Sequence, residues 1–145
     1  PDTITDRLEG KWKYYNKSSI EQTLGYEQEV CGDRLLVTLH GYLRLITPAT
    51  IQKGIVILNG HPANIEAHPE LKGKDPQERS FKQYETAGAV LHKVTAGVDE
   101  GEVIDYEEFL QEGLDERAFY LTLRDKALYM WYKFLKVVLY IAVGD

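Results

Sequence analysis

The chain has 145 residues, a formal net charge of -6 at pH 7, 43% hydrophobic and 28% charged residues, and a single cysteine. That length suits one domain, and the acidic balance, with no long basic cluster, argues against a nucleic-acid partner. No stretch reaches the roughly 18 uninterrupted apolar residues that a membrane span requires, and Cys31 alone excludes an internal disulfide, which suits a reducing, cytoplasmic compartment.

In chain order, "PDTITDRLEG" opens without Met, basic n-region or apolar h-region, so it is not a signal peptide, and the absent Met hints at processing or an upstream portion. "GKWKYYNK" at 10–17 reads as a strand or an ordered arm and lacks a phosphate-cradling pattern. Ser18-Ser19-Ile20-Glu21 has the form of a capping box, and Gly32 the form of a stop signal, which predicts a helix over 19–31. Cys31, at its end, reads as a buried small thiol.

The runs 35–40 and 55–58 are apolar without alternation and predict parallel strands buried on both faces. Thr47-Pro48 between them has N-cap and N1 chemistry for a short helix over 49–53. Asp75-Pro76 starts a second helix, expected to run to about 86 and to stop at Gly88. A strand of alternating character follows at 89–95, then the turn "GVDEG" and a short strand at 103–106.

Asp115 caps a long helix over 115–142, with Phe119, Leu123, Ala127, Met130, Phe134, Val137 and Val138 at helical spacing. Its extra aromatics, Tyr120, Tyr129, Trp131, Tyr132 and Tyr140, suggest packing on two sides or pairing with another chain, that is, a homo-oligomer. Alternating strands and helices predict an α/β sheet with its ligand site at the carboxyl ends of the strands.

Asn59 and His61 sit at such an end, two residues apart and ahead of the irregular stretch 62–75. An Asn offers N–H donors to an oxygen that gains charge, and a His donates or shuttles a proton near neutral pH. Asp99, in the turn after the strand 89–95, is expected to return to the same edge of a parallel sheet, where it holds His61 and accepts a proton from an attacking amine. On spacing alone the plainer reading is favoured, an Asn that caps a turn and a His that satisfies backbone groups. His40, His68 and His92 read as structural or loop histidines. With no metal-ligand spacing among them and Cys31, no metal is expected. Glu107, Glu108, Glu112, Asp115 and Glu116 read as a solvated face and helix N-terminal acids.

"HGYLRLITP" at 40–48, "LNGHP" at 58–62, "LKGKDPQERS" at 71–80 and "GAVLHKVTAGVDEGEVI" at 88–104, taken together, resemble the formyltransferases that use 10-formyltetrahydrofolate. That family includes the glycinamide ribonucleotide, methionyl-tRNA and amino-sugar formyltransferases and formyltetrahydrofolate deformylase. The resemblance covers about residues 30–140. It implies a Rossmann-type, three-layer α/β fold in a single domain, with 1–30 as an N-terminal arm and helix, and a catalytic triad of Asn59, His61 and Asp99.

It further implies a pterin cleft walled by Tyr42, Leu43, Arg44, Leu45 and Ile46 and by Ala96, Gly97 and Val98, where Gly97 and Gly101 let backbone approach a flat ligand. Formyl transfer from 10-formyltetrahydrofolate to a small-molecule amine is the implied activity, with no metal and no covalent enzyme intermediate. Asn59 and His61 would stabilise the oxyanion, and residues 62–75 would cover it against water. The family's opening strand and Gly-rich loop have no counterpart in residues 1–34, so the chain reads as N-terminally shortened. Hydrolysis of the formyl donor by the same three residues, or folate binding without catalysis, are the alternatives.

Overall fold

The computed structural model describes residues 20–40 and 45–143. Helix α1 (Ile20–Cys31) ends where Gly32 turns left-handed at φ 59°, and a 3-10 turn (Gly32–Arg34) leads into β1 (Leu36–Leu39). Cys31 is half-buried and unpaired. The proposed capping serines and the arm at 10–17 lie outside the described residues.

Thr47 is extended and Pro48 opens α2 (Pro48–Ile51), shorter than the predicted 49–53 because the chain turns there toward Gly54 at φ 73°. Glu21 Oε1 accepts both the Thr47 N–H at 2.7 Å and its hydroxyl at 2.9 Å, which fastens α2 to α1. β2 (Val56–His61) follows, parallel to β1 with Leu39 opposite Asn59, the pairing that the two apolar runs predicted; the strands are not buried throughout, since β1 is a sheet edge half-buried over 36–38 and Val56 is exposed.

A 3-10 turn (Pro69–Leu71) and helix α3 (Pro76–Ser80) come next. The second helix was expected to continue to 86 and stops at Ser80 instead. Lys82 takes a left-handed φ of 59°, and Gln111 bonds the backbone of the turn, to Ser80 O at 2.9 Å, Tyr84 O at 3.0 Å and Lys82 N at 2.9 Å. Those bonds replace the helical ladder that the sequence pattern promised.

β3 (Thr86–Lys93) and β4 (Val103–Leu110) complete a four-stranded sheet of order β1-β2-β3-β4. Gly88 is no helix stop. It lies inside β3, where a Cβ would run into the Glu107 carbonyl of β4, so glycine permits the two backbones to pair closely. β3 is not alternating either: residues 87–92 are buried without a break, because layers cover both of its faces. β4 is longer than the predicted 103–106 and alternates half-buried with exposed residues.

β3 runs antiparallel to both β2 and β4. The sheet is therefore mixed, and Asp99 does not return to the edge of a parallel sheet. It follows the far end of β3, and the connection to β4 folds back over the sheet to bring it to His61.

The final helix, α4 (Glu116–Val143), begins as predicted, with Asp115 Oδ1 accepting the Ala118 N–H at 2.7 Å. It packs on one face of the sheet, where Phe119, Leu123, Met130 and Trp131 close over Leu58, Ala87, Ala89 and Leu91. α1 and α2 lie on the other face, where Leu24 and Ile46 meet Leu39 and Ile57. The result is three-layered, as expected. Leu121, Leu128, Tyr129, Tyr132 and Val137 of α4 remain exposed.

Candidate active site

A strand alternates its side chains between faces, so in β2 Leu58 and Gly60 point to α4 while Ile57, Asn59 and His61 point to the opposite face. In β3 the same alternation sends Ala89 and Leu91 toward α4, and Val90 and His92 the other way. Asn59 pairs across the ladder with His92, and His61 with Val90, which gathers the polar side chains on one side of two central strands.

Asp99 closes the group from above. Its Oδ2 lies 3.4 Å from His61 Nδ1 and its Oδ1 lies 3.4 Å from His92 Nε2, while the Gly73 N–H donates to Oδ2 at 3.0 Å. Asn59 Nδ2 is 3.2 Å from His92 Nε2. The three residues singled out from sequence thus come together, His61 and Asp99 directly and Asn59 through His92. Asp99 takes a left-handed φ of 52°, an uncommon conformation for a residue with a side chain, and it is held there by these contacts.

His92 is the residue that sequence reasoning passed over. Its setting in an apolar strand predicts a structural histidine, yet its ring lies 6.5 Å from that of His61, with Asp99 between them. Its Nδ1–H donates to the Lys93 carbonyl at 2.9 Å, which turns Nε2 toward Asn59 and Asp99. The available signal was the polar residue at the second position from the end of β3, once β3 was known to pair with β2.

His61 is buried, and its Nε2–H donates to the Leu71 carbonyl at 3.0 Å. A carbonyl only accepts, so the neutral ring carries its proton on Nε2 and leaves Nδ1 facing Asp99. Burial pulls the His61 pKa below its ordinary value and outweighs the opposing pull of the Asp99 charge and the Leu71 bond. For Asp99, burial pushes upward, but the His92 contact, the Gly73 N–H and the two nearby imidazoles prevail and lower it to about 2. Near neutral pH the site holds a carboxylate beside an unprotonated nitrogen, an arrangement ready to receive a proton on Nδ1 and to stabilise the cation formed.

Residues 62–75 fold down onto this face. Ala63, Ile65 and Leu71 are buried against Val90, with Tyr84 and Val103 beside them, and buried Asn64 accepts from the Ala67 N–H and donates to Glu108. Glu107 bonds to Lys133 of α4, so neither acid of that pair is simply solvated. His68 stacks on the Tyr84 ring at 3.8 Å, and His40 lies against Trp131 at 4.6 Å.

Of the residues expected to wall a pterin cleft, Tyr42, Leu43 and Arg44 lie outside the described residues. Leu45 is exposed, whereas the Ile46 side chain is packed in the core with Leu24 and Ile57 and presents only its backbone elsewhere. Ala96 and Val98 are exposed and Gly97 is half-buried in the loop before Asp99. No cluster of three or more candidate metal ligands occurs among the described residues, and no helix among them is long and apolar enough to cross a membrane.

Neither a protein-family model nor a curated protein matches the chain by sequence. Solved structures do match. Phosphoribosylglycinamide formyltransferase from Campylobacter jejuni is 21% identical with a TM-score of 0.68, over 86% of this chain and 65% of that one. The formyltransferase PseJ from Anoxybacillus kamchatkensis, solved with a UDP-linked formamido sugar and tetrahydrofolate, is 24% identical with a TM-score of 0.62, over 93% and 71%. A formyltetrahydrofolate deformylase from Pseudomonas syringae is 20% identical with a TM-score of 0.65, over 81% of this chain and 38% of that one. The chain spans between 38% and 71% of the length of these three proteins. The chain therefore has the fold shared by these formyltransferases and formyltetrahydrofolate deformylase.

Proposed function

We propose that the chain transfers a formyl group from 10-formyltetrahydrofolate to a small-molecule amine, of nucleotide, sugar or amino-acid type, using Asn59, His61 and Asp99. The observation that carries this reading is the Asp99 carboxylate set between His61 and His92, beside Asn59, on a formyltransferase-like fold.

The amine nitrogen attacks the formyl carbon, and negative charge builds on the formyl oxygen. One Asn59 N–H is directed at His92, and the second is the donor for that oxygen. The nitrogen must then lose a proton. His61 Nδ1 takes it, since Nε2–H is committed to Leu71, and Asp99 stabilises the imidazolium. The same proton goes to N10 of the folate as the carbon–N10 bond breaks, so the products are a formamide and tetrahydrofolate. This gives His61 the proton rather than the share of the oxyanion expected from sequence.

The pterin would lie along residues 42–46 and 96–98, with exposed Leu45 and Val98 as apolar surface and Ile46 contributing backbone alone. Hydrolysis is the second reading, favoured by the Pseudomonas syringae deformylase, whose TM-score of 0.65 is in the range of the transferases. It needs only water in place of the amine.

Calorimetric titration with a 5-deaza folate analogue, and single-turnover assays of formyl-donor consumption with and without candidate amines, test the proposal. The parent should bind the analogue and consume the donor. Asp99→Asn, which removes charge at constant size, should keep binding and slow consumption by about 10²–10⁴-fold. Parent-like turnover in that variant would reduce Asp99 to a turn residue.

A further inference from the structure

Arg79 lies on the surface in the last turn of α3, in a chain with 23 acidic residues, yet its guanidinium serves no carboxylate among the described residues. It donates instead to four backbone carbonyls. Nε reaches Lys74 O at 2.9 Å, Nη1 reaches Glu70 O at 2.6 Å, and Nη2 reaches both Leu71 O at 3.1 Å and Lys72 O at 2.7 Å.

Two atoms of the segment so gathered touch the site. The Leu71 carbonyl accepts from Arg79 and from His61 Nε2 at 3.0 Å, which uses both of its lone pairs. Two residues on, the Gly73 N–H donates to Asp99 Oδ2, with Gly73 at a left-handed φ of 89°. Beyond the short 3-10 turn this segment has no strand ladder to hold it. A planar fork with five N–H donors can fan across consecutive carbonyls, and an ammonium cannot do so.

We propose that Arg79 is a positioning residue: by gathering the carbonyls of Glu70, Leu71, Lys72 and Lys74 it holds the Leu71 carbonyl on His61 and the Gly73 N–H on Asp99. The inference rests on reading Asn59, His61 and Asp99 as the reacting centre. It makes the segment 70–74 a fixed wall of the site. Its carbonyl sets the His61 tautomer, and its amide steadies the carboxylate that receives the imidazolium.

The test compares the full chain with Arg79→Gln, Arg79→Lys and, as a surface control, Arg117→Gln. Hydrogen exchange at the Gly73 amide and carbon-13 titration of the Asp99 carboxyl report on the wall directly. Steady-state consumption of 10-formyltetrahydrofolate reports on the chemistry. In both Arg79 variants, Gly73 exchange should speed up at least about 10-fold, and Asp99 should titrate at higher pH. Their kcat should fall by up to about 10²-fold, the cost of a small misplacement, with KM for the folate unchanged. Arg117→Gln should match the parent throughout.

Parent-like Gly73 exchange and Asp99 titration in Arg79→Gln would overturn the inference, as would full recovery of both by Lys, which has charge without the fan. Should Arg79→Gln lose its fold, Arg79→Lys carries the comparison. If the parent itself consumes no formyl donor, the proposed function fails, and exchange and titration still decide the role of Arg79.

Discussion

The two faces of β2 and β3 are made by alternate residues of the same two strands and differ in chemistry. Toward α4, Leu58, Ala89 and Leu91 meet Phe119, Leu123 and Met130 in an apolar layer. Toward the loops, Asn59, His61 and His92 meet Asp99 in a hydrogen-bonded polar group, with His61 and His92 as buried as most of the core. The first face is held by area removed from water and tolerates small shifts in position. The second depends on direction, since each donor must find its acceptor or bear the cost of burial without one.

The largest break in that comparison comes from the apolar side. Phe119 is fully buried, and its ring contacts Phe81, Phe109 and Tyr120. Phe119→Ala should lower stability by about 3–5 kcal/mol in urea unfolding. At temperatures where it stays folded, the Asp99 and His61 titrations should remain those of the parent. A shift in either would mean that the two faces are coupled more tightly than their geometry implies.

Gly60 tests the boundary between the faces, because it lies between Asn59 and His61 and looks toward α4. A Cβ there would sit 2.7 Å from Trp131 Nε1, too close without movement. Gly60→Ala should cost about 1–3 kcal/mol through overpacking. Moving the strand should also disturb the neighbouring site residues, so the His61 ring resonances should shift where Phe119→Ala leaves them in place.

The smallest effect belongs to the polar side and depends on pH. The Asp99 pKa is lowered to about 2 in the folded chain from an ordinary 3.8, so between these values the unfolded chain binds more protons. Its contribution, about 2 kcal/mol, is fully present above the unfolded value and is lost as pH falls through the folded one. His61 has the same sign, since burial lowers its pKa too, and its loss begins as pH falls below the ordinary histidine range. Urea midpoints of the parent and of Asp99→Asn should differ by a constant amount near neutral pH and converge toward pH 2. A difference that stays constant down to pH 2 would remove the electrostatic account of Asp99.

Much of this was legible locally. Gly32 ended a helix, Thr47-Pro48 opened one, Asp115 capped the last, and the runs at 35–40 and 55–58 were parallel neighbours, because caps, glycine stops and apolar runs act over a few residues. Residue type and the wording around them singled out Asn59, His61 and Asp99, and the structure brings the three close together. The direction of β3 was not, since an extended run packs equally well in either sense and its pairing depends on what the rest of the sheet leaves open. Gly88 read as a helix stop for the same reason: glycine serves a turn and a close backbone approach alike, and only the position of the Glu107 carbonyl distinguishes them.

The sequence by itself determined which groups were available for chemistry, a carboxamide, an imidazole and a carboxylate, and the local elements that carry them. Tertiary structure alone decided that His92 joins them, that the 94–102 connection folds back to deliver Asp99, and that Arg79 binds backbone instead of an acid. Those outcomes depend on strand direction and on carbonyl oxygens, which every residue possesses, so neither leaves a trace in residue type or periodicity.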